Sequence, residues 1–425
     1  MDAQQLRARI GTISEMVQAL IAEYDAELIP AETVVTSDLQ SALNIASAGA
    51  RLWLPETSLF TGNFTCHQPV TLRGPGRIVS PNVSPALTIA ADDVRVVGLQ
   101  VGSALGAVTN DLVVIRGART LLTNVALAGN GATKRGIAAN GTDTVIDGCA
   151  VTNICREGQE TQAIATWDGN RITIRGCTLE AGSTGFLSGG ASPTVPNHVP
   201  SGIVLEDCTI TRPEAWRSLP YACKTGVEFK SVRGARVSRC VVSNVWVQGQ
   251  TGFAFTFTPS QYGNSPETTV EDVLVEDCVI RNVAGGLNGR GLTQHTEPER
   301  QTQIGHNWRF LRNTFEISKA WAGGGHGSLS QLGGGPYDIR WEDNTVTQDG
   351  EFLRTSDIRP IAGYAFVNNR VARVGTYGIW QPTGGATRGV NFATQFPGGS
   401  VQDNTFDLAS SHATFRSSFP QNIYQ

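Results

Sequence analysis

The sequence predicts an all-β chain: a right-handed, single-stranded parallel β-helix of about ten rungs, carried on a short N-terminal α-helical coiled-coil segment. Three observations predict it. One strand phrase carrying a Cys or an Asn recurs ten times along the chain. Glycine supplies 48 of 425 residues, above the usual ~7%, as many tight corners require. A short heptad seam opens the sequence. The expected parts are an N-terminal helix over 1–30, a capping helix and first coil over 31–91, the β-helix over 92–407 and a tail or cap over 408–425.

The seam comes first. Leu6, Ile10, Ile13, Val17, Leu20 and Tyr24 alternate steps of four and three, the a/d spacing of a coiled coil. Branched residues there permit a trimer as readily as a dimer. A lone amphipathic helix packed on its own domain reads equally simply. So short a seam cannot hold a trimer without help from the domain that follows. Pro30 stops this helix. Thr36-Ser37-Asp38 opens a second one over Leu39 to Ala46, with Leu39, Ala42, Leu43 and Ala46 on one face. Together with Arg51-Leu-Trp-Leu-Pro55 it reads as the cover for one open end of a solenoid, whose core would otherwise meet water.

The repeat is an apolar alternation, a small or charged pair, then Cys or Asn, then a second alternation. It is centred on Asn124, Cys149, Cys177, Cys208, Cys240, Cys278, Asn313, Asn344, Asn369 and Asn404, at intervals of 25 to 38 residues. A fixed strand phrase with variable spacing means stacked coils with loops of unequal length. The Cys/Asn position is expected to line an inward ladder, Cys as a small apolar residue and Asn as a hydrogen-bonding one. Eight cysteines, mostly in one rung position and without a Cys-x-x-Cys pair, read as free buried thiols and argue against zinc.

The segment SDLQSALNIASAGARLWLPETSLFTGNFTCHQPVTLRG (37–74) and the phrases KTGVEFKSVRGARVSRCVVSNVW, QTGFAFTFTPSQYGNSP, VIRNVAGGLN and KAWAGGGHGSL within 224–380 resemble the pectate-lyase-like superfamily of right-handed parallel β-helices. The first resembles the helix cap and first coil of phage tailspikes and many polysaccharide lyases. The second is similar to uncharacterised bacterial β-helix proteins that read V-K-N-x-F-E-L-K-N, Q-S-G-F-A and T-P-R-N-Q. This chain departs from the last phrase, with Ser260 after Thr258-Pro259. The resemblance covers about 350 residues and implies the fold; it leaves lyase, hydrolase, esterase and inert spike open.

Three insertions, 256–269, 286–306 and 381–399, are expected to wall a groove suited to a long polymer. Glu228 and Lys230, two apart in VEFKS, share one strand face. A lyase needs a base and a cation for the developing enolate, for which Lys230, Arg290, His295 and His326 are candidates. A glycosidase needs two carboxylates ~5–9.5 Å apart, for which Glu228, Glu297, Glu299, Asp349 and Glu351 are candidates. A plain surface ion pair of Glu228 with Lys230 is the structural alternative. The candidate catalytic set is Glu228, Lys230, Arg290 and His295. The candidate sugar contacts are Trp246, Gln250, Tyr262, Trp321 and His326, with Trp308 and Trp380 as further aromatic candidates. No cofactor and no metal site are expected.

A net charge of −4 argues against a nucleic-acid partner. No run of 18 apolar residues predicts membrane insertion. The N-terminus lacks signal-peptide features, so the expectation is a mature chain or cytoplasmic assembly. Three functions fit. The first is a homotrimeric phage-type tail spike or tail fibre of the virion, made in the host cytoplasm. It would bind host surface polysaccharide, with or without cleaving it, and join other virion proteins through its N-terminal segment. The second is a soluble, secreted bacterial polysaccharide lyase or glycoside hydrolase. The third is a non-catalytic structural or decoration protein of a virion.

Overall fold

Short alternating strands of two to nine residues follow one another with almost no helix between them. The computed structural model describes residues 32–260, 265–292, 302–322, 327–350, 353–372, 380–382, 392–407, 416–417 and 419–425. The heptad residues Leu6 to Tyr24 lie outside the described residues. Between the end strands each coil gives one strand to each of three sheets, and each such strand pairs with the strand three further on. The first sheet stacks 14 strands from Glu32–Val34 to Ser400–Gln402. The second stacks 14 from Leu59–Thr61 to Ile423–Tyr424, and the third 12 from Phe64–Cys66 to Trp380–Pro382. The pairings are parallel, and parallel crossovers of this kind are right-handed.

These stacks are taller than the about ten rungs expected. The coils before residue 92 carry Leu and Gly where later coils carry the Cys/Asn phrase, and Ile423–Tyr424 joins the second sheet by pairing with Thr405–Phe406. No helix among the described residues is long and apolar enough to cross a membrane.

The corner between the first and second sheets explains the repeat. One residue there is left-handed: Asp207, Arg239, Asp277, Arg312, Asp343, Asn368 and Asp403 have φ from 51 to 59°. Asp and Asn tolerate this conformation. The arginines are held instead by the corner one coil below: Arg239 Nε lies 2.8 Å from Asp207 Oδ1, and Arg312 Nε 2.8 Å from Asp277 Oδ1. The guanidinium beside Asp207 holds that carboxyl below its ordinary range.

The next residue points inward. Its backbone N–H, turned out of the sheet ladder, donates to the side chain one coil further on. Cys240 N–H reaches Cys278 Sγ at 3.4 Å, and Cys278 N–H reaches Asn313 Oδ1 at 2.9 Å. The run continues through Asn344, Asn369, Asn404 and Asn422 at 2.7–2.9 Å. Nine of the ten expected positions stand in this column, and Asn422 extends it. Asn124 does not. Thr123 pairs with Asp147, so Val125 aligns with Cys149, and Asn124 takes the left-handed corner at φ 52°. Both slots accept Asn, which put the phase of that coil one residue out. All eight cysteines are buried and free. Burial pushes the Cys66 thiol up to about 12.

Behind the ladder the core is aromatic toward the C-terminal half. Phe310 stacks on Trp341 with ring centroids 4.0 Å apart. At the other end the helix Leu39–Ile45 buries Leu39 and Leu43, with Asp38 accepting from Ser41 N–H at 3.0 Å. Its Gln40 lies along the outermost strand of the third sheet. The amide oxygen accepts from Thr65 N–H at 2.8 Å, and the amide nitrogen donates to Thr65 O at 3.1 Å. One side chain thereby replaces the missing neighbouring strand.

Candidate functional site

The outer face of the third sheet carries the candidate site. Along strand Cys223–Phe229, Val227 and Phe229 join the core, so Glu228 between them points outward. Register continues that outward position from coil to coil. Before Glu228 it holds Val114, Ala138, Ala165 and Leu187. After it come Thr256, Asn288, Gln331 and Arg354. The column is apolar for four coils and polar for the next five.

Glu228 does not make the plain surface pair with Lys230. Its side chain is only 2% exposed, and Oε1 lies 3.0 Å from Lys224 Nζ but 3.7 Å from Lys230 Nζ. Lys224 Nζ also lies 3.3 Å from Glu160 Oε2, and Gln250 Nε2 donates to Glu160 Oε1 at 3.3 Å. One ammonium therefore bridges two carboxylates. Burial works against the charge on Lys224, but the carboxylates of Glu228 and Glu160 outweigh it and hold the amine above its ordinary value. The stem of Lys230 runs over Gly190, where an added Cβ would come 2.7 Å from Lys230 Cδ.

The sign of the Lys224 shift fixes a pH prediction. A raised folded value stabilises the fold fully below the unfolded value of 10.5 and is lost as pH rises through the folded value. The difference in stability between the wild type and Lys224→Met should be constant from pH 7 to 9 and shrink above about 10.5. Denaturation curves across that range check it.

Arg290 sits two coils beyond Lys230 in the next outward column, roughly 10 Å away by strand spacing, and is 4.0 Å from Asp357. Trp246 is a core residue, 3% exposed, with Nε1 donating to Gln248 Oε1 at 2.6 Å. Trp308 is fully buried and donates to Val270 O at 2.9 Å. Neither is placed to touch a ligand on the surface. Trp321 is half-buried, its ring 6.3 Å from Trp246 and covered by Arg217 at 4.5 Å. Asp349 accepts from Ser318 Oγ at 2.8 Å and so closes a turn. Tyr262, His295, His326, Glu297, Glu299 and Glu351 lie outside the described residues, as does the side chain of Trp380. Among the described residues no group of three or more His, Cys, Asp or Glu side chains is placed to hold a metal.

The sequence reading passed over the segment 189–200, which leaves the third sheet on the same side as the three named insertions. It walls a cavity of about 740 Å³ on the apolar coils below Glu228. Asp111, Arg135, Asn140, Trp167, Asp168 and His198 are among its lining residues. Arg135 bonds Asp111 at 2.5 Å and lies 5.3 Å from the Trp167 ring centre. Asp168 Oδ1 accepts from Thr194 N–H at 2.7 Å, tying the wall down. Trp167 precedes Lys230 by two coils in one outward column, so the charged cluster follows the cavity along the same face of the sheet.

No family model matches the chain, and no curated protein sequence matches it. Solved structures do. The Dettilon tailspike protein superposes with a TM-score of 0.50 at 12% identity, over 83% of this chain and 68% of that one. The catalytic unit of a thermostable alpha-1,3-glucanase from Streptomyces thermodiastaticus superposes with a TM-score of 0.54 at 13% identity, over 88% of this chain and 67% of that one. Likeness at such identities shows the fold alone, a parallel β-helix.

Proposed function

We propose that this chain is a tailspike-like virion protein that binds a host surface polysaccharide along the outer face of its third sheet. The cavity and the charged cluster beyond it carry this reading, taken as one trough along the coil axis. The cavity has an indole in its wall, with polar Asp111, Arg135, Asn140 and Asp168 beside apolar Val114, Ala138 and Val195. Such a mixture suits sugars, which offer C–H faces to aromatics and hydroxyls to polar groups. The tailspike among the structural neighbours supports the same role.

Glu228, Lys230 and Gln250 are contacts in this reading, with Arg290 further along and Trp321 at the margin; Tyr262, His295 and His326, outside the described residues, are further proposed contacts. The reading is binding and not cleavage, because the Lys224 ammonium fills the space between the cluster's two carboxylates, 3.3 Å from Glu160 and 3.0 Å from Glu228, where a glycosidase would seat the scissile bond. The heptad seam before residue 31 is proposed to join three chains and attach them to other tail proteins.

A panel of bacterial surface polysaccharides tests the reading with the full chain. Binding to at least one polymer is expected, weakened roughly two- to tenfold by Trp167→Ala, since an aromatic contact is worth about 0.5–1.5 kcal/mol. Sedimentation should give a trimer. Binding to no polymer would overturn the proposal. Release of reducing ends or of unsaturated products would replace binding by cleavage.

A further inference from the structure

The polar half of the outward column carries a sharper statement. Glu228, Thr256, Asn288, Gln331 and Arg354 stand on five successive coils. Glu228 Oε2, Thr256 Oγ1, and Arg354 Nε and Nη1 are buried without a hydrogen-bond partner, and Glu228 is only 1% exposed as a whole residue. Asn288 and Gln331 make no side-chain hydrogen bond among the described residues. Arg354 has no carboxylate within salt-bridge distance among the described residues, and burial alone lowers its affinity for the proton.

Buried polar atoms are normally partnered. Three of the five outward groups, Glu228, Thr256 and the half-buried Arg354, keep buried atoms with unused hydrogen-bonding capacity, and Asn288 and Gln331 between them are half-exposed. The two ends want different things. Glu228 Oε2 accepts, so it faces a hydroxyl. Arg354 donates and is cationic, so it faces an anion. Four coil steps at ~4.8 Å separate them by about 19 Å.

We propose that Arg354 is the specificity-determining residue of this trough, and that the polysaccharide is acidic. It lies along the coil axis with a carboxylate, sulfate or phosphate on Arg354 and a hydroxyl-bearing sugar on Glu228. This rests on the polysaccharide-binding reading above and adds the charge, the direction and the minimum span of the ligand. Arg354 takes the anion by paired N–H donors, which lysine cannot reproduce.

The test pairs Arg354→Gln and Arg354→Lys with an acidic bacterial polysaccharide and its carboxyl-reduced form, measured by calorimetry on the full chain. Sulfated and phosphorylated glycans in the same panel separate the three anions. Arg354→Gln should weaken acidic-glycan binding at least tenfold and leave binding of the reduced glycan unchanged. Arg354→Lys should fall between. The melting temperature of Arg354→Gln should not drop, because the change removes two buried nitrogens that have no partner. Equal binding of acidic and reduced forms by the wild type would overturn the proposal while leaving polysaccharide binding standing, even were the variants unable to fold. So would undiminished acidic-glycan binding by Arg354→Gln. No binding to any glycan would remove both readings.

Discussion

Asn344→Ala is expected to destabilise the chain by about 3–5 kcal/mol, because one amide serves two coils. Asn344 Oδ1 accepts from Asn313 N–H at 2.9 Å and from Asn313 Nδ2 at 3.1 Å. Its Nδ2 donates to Phe310 O at 2.9 Å and to Asn369 Oδ1 at 2.8 Å. Alanine leaves the buried Asn313 N–H without an acceptor and opens a void beside Trp341. Asn344→Cys should recover part of the loss, since Cys278 takes the same donor from Cys240 at 3.4 Å but sulfur accepts weakly. Urea unfolding of the three proteins would check the order. A loss under 1 kcal/mol for Asn344→Ala would mean that the column is ornament and the aromatic core alone holds these coils.

Lys224→Met should be the most damaging change at the site, costing about 3–5 kcal/mol, because it strands a buried carboxylate. Glu228 would keep only Lys230 at 3.7 Å. Adding Glu228→Leu to Lys224→Met should restore most of the stability, since the uncompensated charge leaves with the glutamate. Polysaccharide binding should be lost in both proteins. A double variant no more stable than the single one would show that Lys224 matters through its packed stem and not through its charge.

The fold was legible because it is periodic. Strict alternation around a Cys or Asn forces one strand per coil, and nine of the ten positions chosen on that basis stack in space. The failure at Asn124 has a physical cause: the left-handed corner and the inward slot are adjacent, and Asn suits both. Glu228 and Lys230 share one face as alternation implies, and Gln250 on the next coil joins their cluster through Glu160. Glu160 was missed because it reaches the cluster from the corner preceding the third sheet, two coils earlier. Lys224 was missed although KTGVEFK places Lys224, Glu228 and Lys230 on alternate positions. Trp308 in its strand and Trp246 just after one look alike in sequence whether they face in or out; only the packing of neighbouring coils shows both to be buried. Trp167 and Asp168 gave no signal of their own, as the wall facing them, 189–200, is a run of small and polar residues with no charged side chain.

The Gln40 amide on Thr65 has a consequence beyond the coil it covers. A solenoid ends in open strand edges, and two such ends brought together would continue each other's sheets into a fibre. Here the first exposed edge already has its donor and its acceptor satisfied by a side chain that belongs to a helix and cannot be extended by another strand. The Phe64–Cys66 end of the third sheet is therefore closed at Thr65 to a strand from another copy.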